Sequence, residues 1–156
     1  MKIHLITIGN RMPAWVDEAT AEYLKRMPRE CELVLHALPP SKRGKSRSSD
    51  QVKTEESKAL RARIPKGALL VALDEHGKLW DTKQLSRKLD GWLGEGRDVA
   101  LLIGGADGHA SELLAEADLR WSLSPLTLPH GLARVMVAEQ VYRAWSLLKG
   151  HPYHRE

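Results

Sequence analysis

The sequence predicts an α/β protein, a mainly parallel sheet with helices on both faces. Short β-branched and leucine-rich runs alternate with stretches of helical periodicity along the 156 residues. Two of those runs, Ala68–Leu73 and Val99–Ile103, are apolar throughout and need cover on both sides, as central parallel strands do. Neither an internal repeat nor a break in composition divides the chain, so residues 1–156 read as one domain.

The elements follow in order. Lys2–Ile8 carries the β-branched and leucine residues of a buried strand closed by Gly9. Pro13 suits the first position of a helix running to about Arg26, because its fixed φ is already helical. Trp15, Ala19, Tyr23 and Leu24 are expected on one side of it. Glu32–Leu38 is a second strand, stopped by Pro39-Pro40, and Ser41–Ser49 is a flexible basic loop. Asp50 is the expected N-cap of a helix through about Arg63, ended near Pro65 and Gly67. After the strand Ala68–Leu73, Thr82–Leu93 is amphipathic, with Leu85, Leu89, Trp92 and Leu93 apolar. Val99–Ile103 then leads into Gly104-Gly105-Ala106-Asp107-Gly108 and a short helix near Ser111–Ala117. Trp121–Leu128 is a short strand and loop around Pro125, and Gly131–Lys149 is the strongest helix, followed by the tail His151–Glu156.

Composition narrows the function. Hydrophobic residues at 42% and charged residues at 28% mark a folded chain rather than a disordered one. The single cysteine, Cys31, excludes an intramolecular disulfide framework and a multi-cysteine zinc site, and fits a reducing cytosol. No apolar run approaches the roughly 18 residues of a membrane span, and Met1-Lys2-Ile3-His4 enters a strand with no signal peptide. The expected location is cytoplasmic, without a membrane partner.

Lys and Arg number 24 against 20 Asp and Glu, a formal charge of +4. The excess is concentrated between Ser41 and Arg63, where Lys42, Arg43, Lys45, Arg47, Lys53, Lys58, Arg61 and Arg63 face only Asp50, Glu55 and Glu56. This is either a solvated loop and helix face or a phosphate-contacting patch, and the two differ in the salt dependence of binding.

Ligands in parallel sheets bind beyond the carboxyl ends of the strands, which points to the loops after Leu73, after Ile103 and around Ser124. The loop Gly104–Gly108 has the spacing G-G-x-x-G, which is neither the dinucleotide fingerprint nor a phosphate-binding P-loop. The seven histidines show no metal-binding spacing, so no metal is expected. His4 and His36 fall in strand patterns, and a serine-nucleophile signature is absent. Arg134 falls within the apolar arc Val137, Ala138, Val141, Tyr142, Trp145 and Leu148 of the last helix, where an unpaired guanidinium is costly. Either it reaches outward from the first turn, or the arc faces a partner subunit or ligand that pairs it. The tail His151-Pro-Tyr-His-Arg-Glu156 carries residue types that suit stacking on a base and holding phosphate.

Several long motifs, in order along nearly the whole chain, carry a family resemblance. They are Lys42-Arg-Gly-Lys45, Leu73-Asp74, Leu101-Leu-Ile-Gly-Gly-Ala-Asp-Gly108, Trp121-Ser-Leu-Ser-Pro-Leu-Thr-Leu-Pro-His130, Arg134-Val-Met-Val-Ala-Glu139, Tyr142-Arg-Ala-Trp145 and the terminal hexapeptide. Together they closely resemble the ribosomal RNA large subunit methyltransferase H family. The resemblance implies a SPOUT-type α/β knot, with a deep trefoil knot at the carboxyl end, and S-adenosylmethionine as cofactor. It implies methylation of N3 of a pseudouridine in the helix 69 loop of 23S rRNA, on assembled ribosomes, by a homodimer. The cofactor pocket would form at Leu73, at Gly104 and Gly105, and along Leu123, Ser124, Pro125, Leu126, Thr127 and Leu128.

By side-chain chemistry the catalytic candidates lie in the tail: Tyr153 to stack, His154 with the intrinsic pKa of a base, and Arg155 to stabilise an anionic base or hold phosphate, since the resemblance does not locate the proton acceptor. RNA contacts would fall to Lys42, Arg43, Lys45, Arg134 and Arg143, with the last helix at the subunit interface. Ala106, Asp107 and His109 read as ordinary loop variation. Two other readings remain: a non-catalytic ribosome-binding assembly factor with the same fold, and a Rossmann-type nucleotide-binding enzyme, for which the glycine spacing is wrong.

Overall fold

The computed structural model describes residues 1–42, 44 and 46–155. The expected phosphate contacts Arg43 and Lys45 therefore lie outside the described residues. Five strands, β1 (Lys2–Ile8), β2 (Glu32–Leu38), β3 (Leu69–Leu79), β4 (Val99–Ile103) and β5 (Leu119–Ser122), form one sheet in the order β2-β1-β4-β3-β5. Every neighbouring pair is parallel.

Alternation along the strands sorts the core into two layers. Ile3, Leu5, Val71, Val99, Leu101, Ile103 and Trp121 point to one face. There they pack on Tyr23 and Leu24 of α1 (Ala14–Arg26), Leu85, Leu89 and Trp92 of α3 (Thr82–Glu95), and Val137, Ala138, Val141 and Tyr142 of α5 (His130–Lys149). Ile6, Ile8, Leu70, Ala100 and Leu102 point the other way, onto Leu60 of α2 (Ser49–Arg61) and Leu113 of α4 (Ser111–Glu116). Both faces of β4 are covered, which is why its five residues can all be apolar. Among the described residues no helix is long and apolar enough to cross a membrane.

Three local expectations are corrected. Trp15 is 54% exposed, and the inward side of α1 is Val16 and Thr20 with Tyr23 and Leu24 beside them; Pro13 is the N-cap, one residue before the helix. The cap of α2 is Ser48, not Asp50: Ser48 and Gln51 exchange side-chain and backbone hydrogen bonds in a capping box. A capping box satisfies two backbone N–H groups at once, while Asp50 sits outside it and pairs with Lys53. β3 does not stop at Leu73. Leu73 and Lys78 both lie opposite Trp121, so Asp74–Gly77 is looped out and the strand resumes to Leu79. Gly77 permits the return, since a Cβ there would lie 2.7 Å from the Arg120 backbone.

Candidate cofactor site and the docked tail

The register brings the three predicted cofactor segments to one edge of the sheet. Ala72 pairs with Leu102 and Leu73 with Trp121, so the chain beyond Leu73, beyond Ile103 and beyond Ser122 leaves three adjacent strands side by side. Leu73 and Leu123 are half-buried against the core, and Leu126 is 73% exposed. Ser124 shapes the last loop: its hydroxyl accepts from the Leu126 N–H at 2.9 Å, and its carbonyl accepts from the Ser122 hydroxyl at 3.1 Å. Among the described residues, no backbone–backbone hydrogen bond ties down Ser124–Leu128. Their N–H and C=O groups, Pro125 having only the latter, are the polar complement to the leucines.

Gly104, in the second loop, is required by the chain itself. A Cβ on Gly104 would stand 2.9 Å from the Gly108 backbone, because Gly105 and Gly108 pair across a tight turn, with Gly108 at φ +81°. A Cβ on Gly105 would stand 2.6 Å from a carboxylate oxygen of Glu56. Both glycines thus have a packing reason inside the chain, beside the expected close approach of a cofactor to their backbone.

Residues that sequence reasoning missed hold this loop in place. Glu56 is buried, accepts from the Ser41 N–H through Oε2 at 3.0 Å, and keeps Oε1 beside Gly105 without a hydrogen-bond partner among the described residues. Ser57 accepts the Ala110 N–H at 3.1 Å, so α2 clamps both ends of the loop. His109 is not ordinary variation. It is buried, its Nε2 donates to the Leu102 carbonyl at 3.1 Å, and burial pushes its pKa down against the pull of that carbonyl. The signal for Glu56 and Ser57 was their place on the apolar side of α2, shared with Val52 and Leu60.

His130 and Arg134 stand at the start of α5, against the carboxyl ends of β1 and β4. His130 Nε2 lies 3.4 Å from the Arg134 guanidinium, and burial together with that charge lowers its pKa, opposed by the Gly104 backbone. Arg134 is 1% exposed and donates to the Thr7 hydroxyl at 2.8 Å and the Gly9 carbonyl at 2.6 Å. The expectation of an RNA-contacting Arg134 is corrected: its arc packs inside the chain, and the guanidinium serves the end of β1 rather than a surface. Cys31 is buried, and desolvation raises its thiol to about 11, which removes it as a nucleophile near neutral pH.

The tail lies elsewhere in the chain. After Gly150 it turns back as a 3-10 helix, Pro152–Arg155, along α5. The Tyr153 hydroxyl donates at 3.2 Å to Glu139, and shares a 3.1 Å hydrogen bond with the Tyr23 hydroxyl. Its ring meets Tyr142 edge-on at 4.8 Å, and the Arg143 guanidinium lies 4.9 Å from its centroid. Arg143 also donates to Glu139 at 2.6 Å. Burial, Tyr23 and Glu139 all raise the Tyr153 pKa above the usual phenol range. His154 is half-buried with Nδ1 lacking a partner, and Arg155 is exposed. The three tail candidates are thus together, and beside Arg143, but on α1 and α5 rather than at Gly104. In the basic segment, Arg47 pairs with Glu55, Lys53 with Asp50 and Arg61 with Glu116, while Lys42 is exposed.

With this sheet edge and parallel order in view, the chain falls in the SPOUT methyltransferase class: residues 1–154 match the family model described as predicted SPOUT methyltransferase. It is 56% identical to the ribosomal RNA large subunit methyltransferase H of Hydrogenovibrio crunogenus and 56% to that of Thioalkalivibrio sulfidiphilus, over the full length of each. The protein of the same name from Pseudomonas aeruginosa is 48% identical, over 99% of this chain and all of its own. The chain belongs to the ribosomal RNA large subunit methyltransferase H family. Solved structures show the same fold at low identity. A "probable methylase family protein" from Haemophilus influenzae superposes with a TM-score of 0.56 at 11% identity, covering 97% of this chain and 67% of that one. A structure described as giving insights into the 2-OH methylation of C/U34 on tRNA does so at 0.53 and 16%, covering 93% and 97%.

Proposed function

We propose that the chain transfers a methyl group from S-adenosylmethionine to N3 of a pseudouridine in the helix 69 loop of 23S rRNA, on assembled ribosomes in the cytoplasm, as a homodimer. The observation that carries the reading is the parallel order β4-β3-β5, which sets Leu73, Gly104 and Leu123–Leu128 side by side. Family membership supports the methyltransferase class and a large-subunit rRNA substrate.

The residues at that edge fit the cofactor. Leu73, Leu123 and Leu126 offer apolar walls for adenine and the methionine chain, and the untied backbone of Ser124–Leu128 offers donors and acceptors to the adenine edge. Bound there, S-adenosylmethionine supplies an electrophilic methyl carbon on a sulfonium. The rest falls to the chain and is mostly positioning. Methylation at N3 would require the N3 proton to pass to a base, and supplying that base is the chain's task. His154 is the proposed acceptor. Tyr153, its phenol held protonated by Glu139 and burial, stacks or donates rather than accepts. Arg155, exposed, holds phosphate or the anionic base.

Within one chain the tail rests on α1 and α5. In the proposed homodimer it would serve the partner's crevice, with Arg143 at the RNA. The trefoil knot belongs to the same proposal and rests on family membership; α5 follows β5 and packs on α3, α1 and the end of β1.

The test is incubation of labelled cofactor with ribosomes lacking the modification, then mapping of the labelled nucleoside. Label in a single helix 69 pseudouridine is the expected result. Ribosome binding without incorporation would instead favour the non-catalytic assembly factor.

A further inference from the structure

Where the end of β3 pairs with the edge strand β5, the sheet carries cations that have no acidic partner among the described residues. Lys78, Leu79, Trp80, Gln84, Arg87 and Lys88 line an open groove of about 400 Å³, where β3 hands over to α3. Among the described residues no ion pair joins Lys78, Arg87 or Lys88, whereas Arg47, Lys53 and Arg61 of the expected basic patch are each matched to an acid. Asp81, three residues after Lys78, spends one carboxylate oxygen on the Gln84 N–H as the cap of α3.

The floor of the groove is rigid. Trp80 stacks on the buried Trp121 with centroids 5.1 Å apart and planes 16° from parallel. The Lys88 ammonium stands 4.6 Å from the Trp80 centroid, a cation–π contact that favours this position. Trp121 belongs to the strand that runs into the Leu123–Leu128 loop, so the groove adjoins the proposed cofactor edge.

We infer that Lys78, Arg87 and Lys88, arranged around the Trp80–Trp121 stack, form a phosphate-binding groove for the RNA substrate, on the flank of the sheet opposite the Lys42 loop. The inference rests on the proposed RNA methylation and adds a contact surface to it. Cations without an acidic partner among the described residues attract a polyanion, and each phosphate they neutralise releases counterions. The groove reads backbone charge rather than base identity, because Lys88 occupies the Trp80 ring.

The test compares the full chain with Lys78→Gln/Arg87→Gln/Lys88→Gln, using two probes across a salt series: ribosomes lacking the modification, and a single-stranded uridine oligomer. Arg87→Glu alone, at an exposed site away from the tryptophan stack, guards against a folding defect in the triple variant. The expected result is a salt slope shallower by about two, at roughly 0.7 per phosphate contact, with cofactor affinity and thermal midpoint unchanged. A slope unchanged in both variants and with both probes would overturn the groove while leaving the proposed methylation standing. Wild-type chain that binds the oligomer through the groove but never methylates ribosomes would do the opposite, keeping the groove and overturning the methylation.

Discussion

The guanidinium of Arg134, on the first turns of the last helix, donates a 2.6 Å hydrogen bond to the carbonyl of Gly9, at the end of the first strand. These residues are 125 apart in sequence, and a second bond to the Thr7 hydroxyl reinforces the join. Arg134→Met keeps the length and removes the donors, leaving a buried hydroxyl and carbonyl unpaired. The expected loss is roughly 3 kcal/mol of stability, read by denaturant unfolding. Arg134→Lys is expected to recover only part, since an ammonium lacks the planar fork. A wild-type midpoint in Arg134→Met would remove the assignment.

Gly105 and Glu56 make a pair whose coupling is measurable. In Gly105→Ala the new methyl meets the Glu56 carboxylate, and overpacking of this kind costs roughly 1–3 kcal/mol. Glu56→Ala in the same chain opens the space and is expected to restore most of it, less the cost of the unpaired Ser41 N–H. Gly104→Ala meets backbone instead and should not be rescued by Glu56→Ala. Gly105→Val is expected to abolish S-adenosylmethionine binding by calorimetry, and unchanged affinity would displace the cofactor from this loop.

Stability is expected to fall as the solution is acidified through the histidine range. His36, His109 and His130 each lie below the ordinary 6.5 in the folded chain, chiefly through burial, with His4 and Arg63 adding to His36 and Arg134 to His130. The unfolded chain therefore takes up these protons first: the contribution is fully present above 6.5 and is lost as pH falls from there through the lower folded-state values. Asp98, lowered by the Lys2 N–H and His4, acts in the same direction at lower pH, below 3.8. His109→Gln can keep a donor to the Leu102 carbonyl and should flatten the thermal midpoint between about pH 7 and about pH 5. An equally steep curve would count against His109.

Removing Tyr153–Glu156 is expected to spare cofactor binding and abolish methylation of ribosomes. Full activity in the truncated chain would refute the tail assignment. Tyr153→Phe separates packing from hydrogen bonding: the ring stays against Tyr142, while the bonds to Tyr23 and Glu139 go, at a cost of about 1 kcal/mol. Because the phenol is held above its usual range, the alkaline limb of the activity profile should not move in that variant.

Lys42→Ala with Arg43→Ala and Lys45→Ala is expected to weaken ribosome binding and flatten its salt dependence. An unaltered slope would make that loop a solvated one.

The order of strands and helices was legible because local composition decides it. Val99–Ile103 can only be a strand covered on both sides, and the 3.6-residue period of Gly131–Lys149 can only be a helix. The motifs around Leu73, Gly104 and Leu123–Leu128 carried the family, and with it the segments to inspect. Tertiary structure decided what those residues touch. Whether Gly105 faces a ligand or the Glu56 carboxylate, whether Arg134 reaches water or Gly9, and whether Tyr153 hangs free or docks on Glu139 depend on which distant segments share a layer. Periodicity records which face of an element is apolar, but a hydrogen bond between residues 125 apart leaves no periodic trace in either segment.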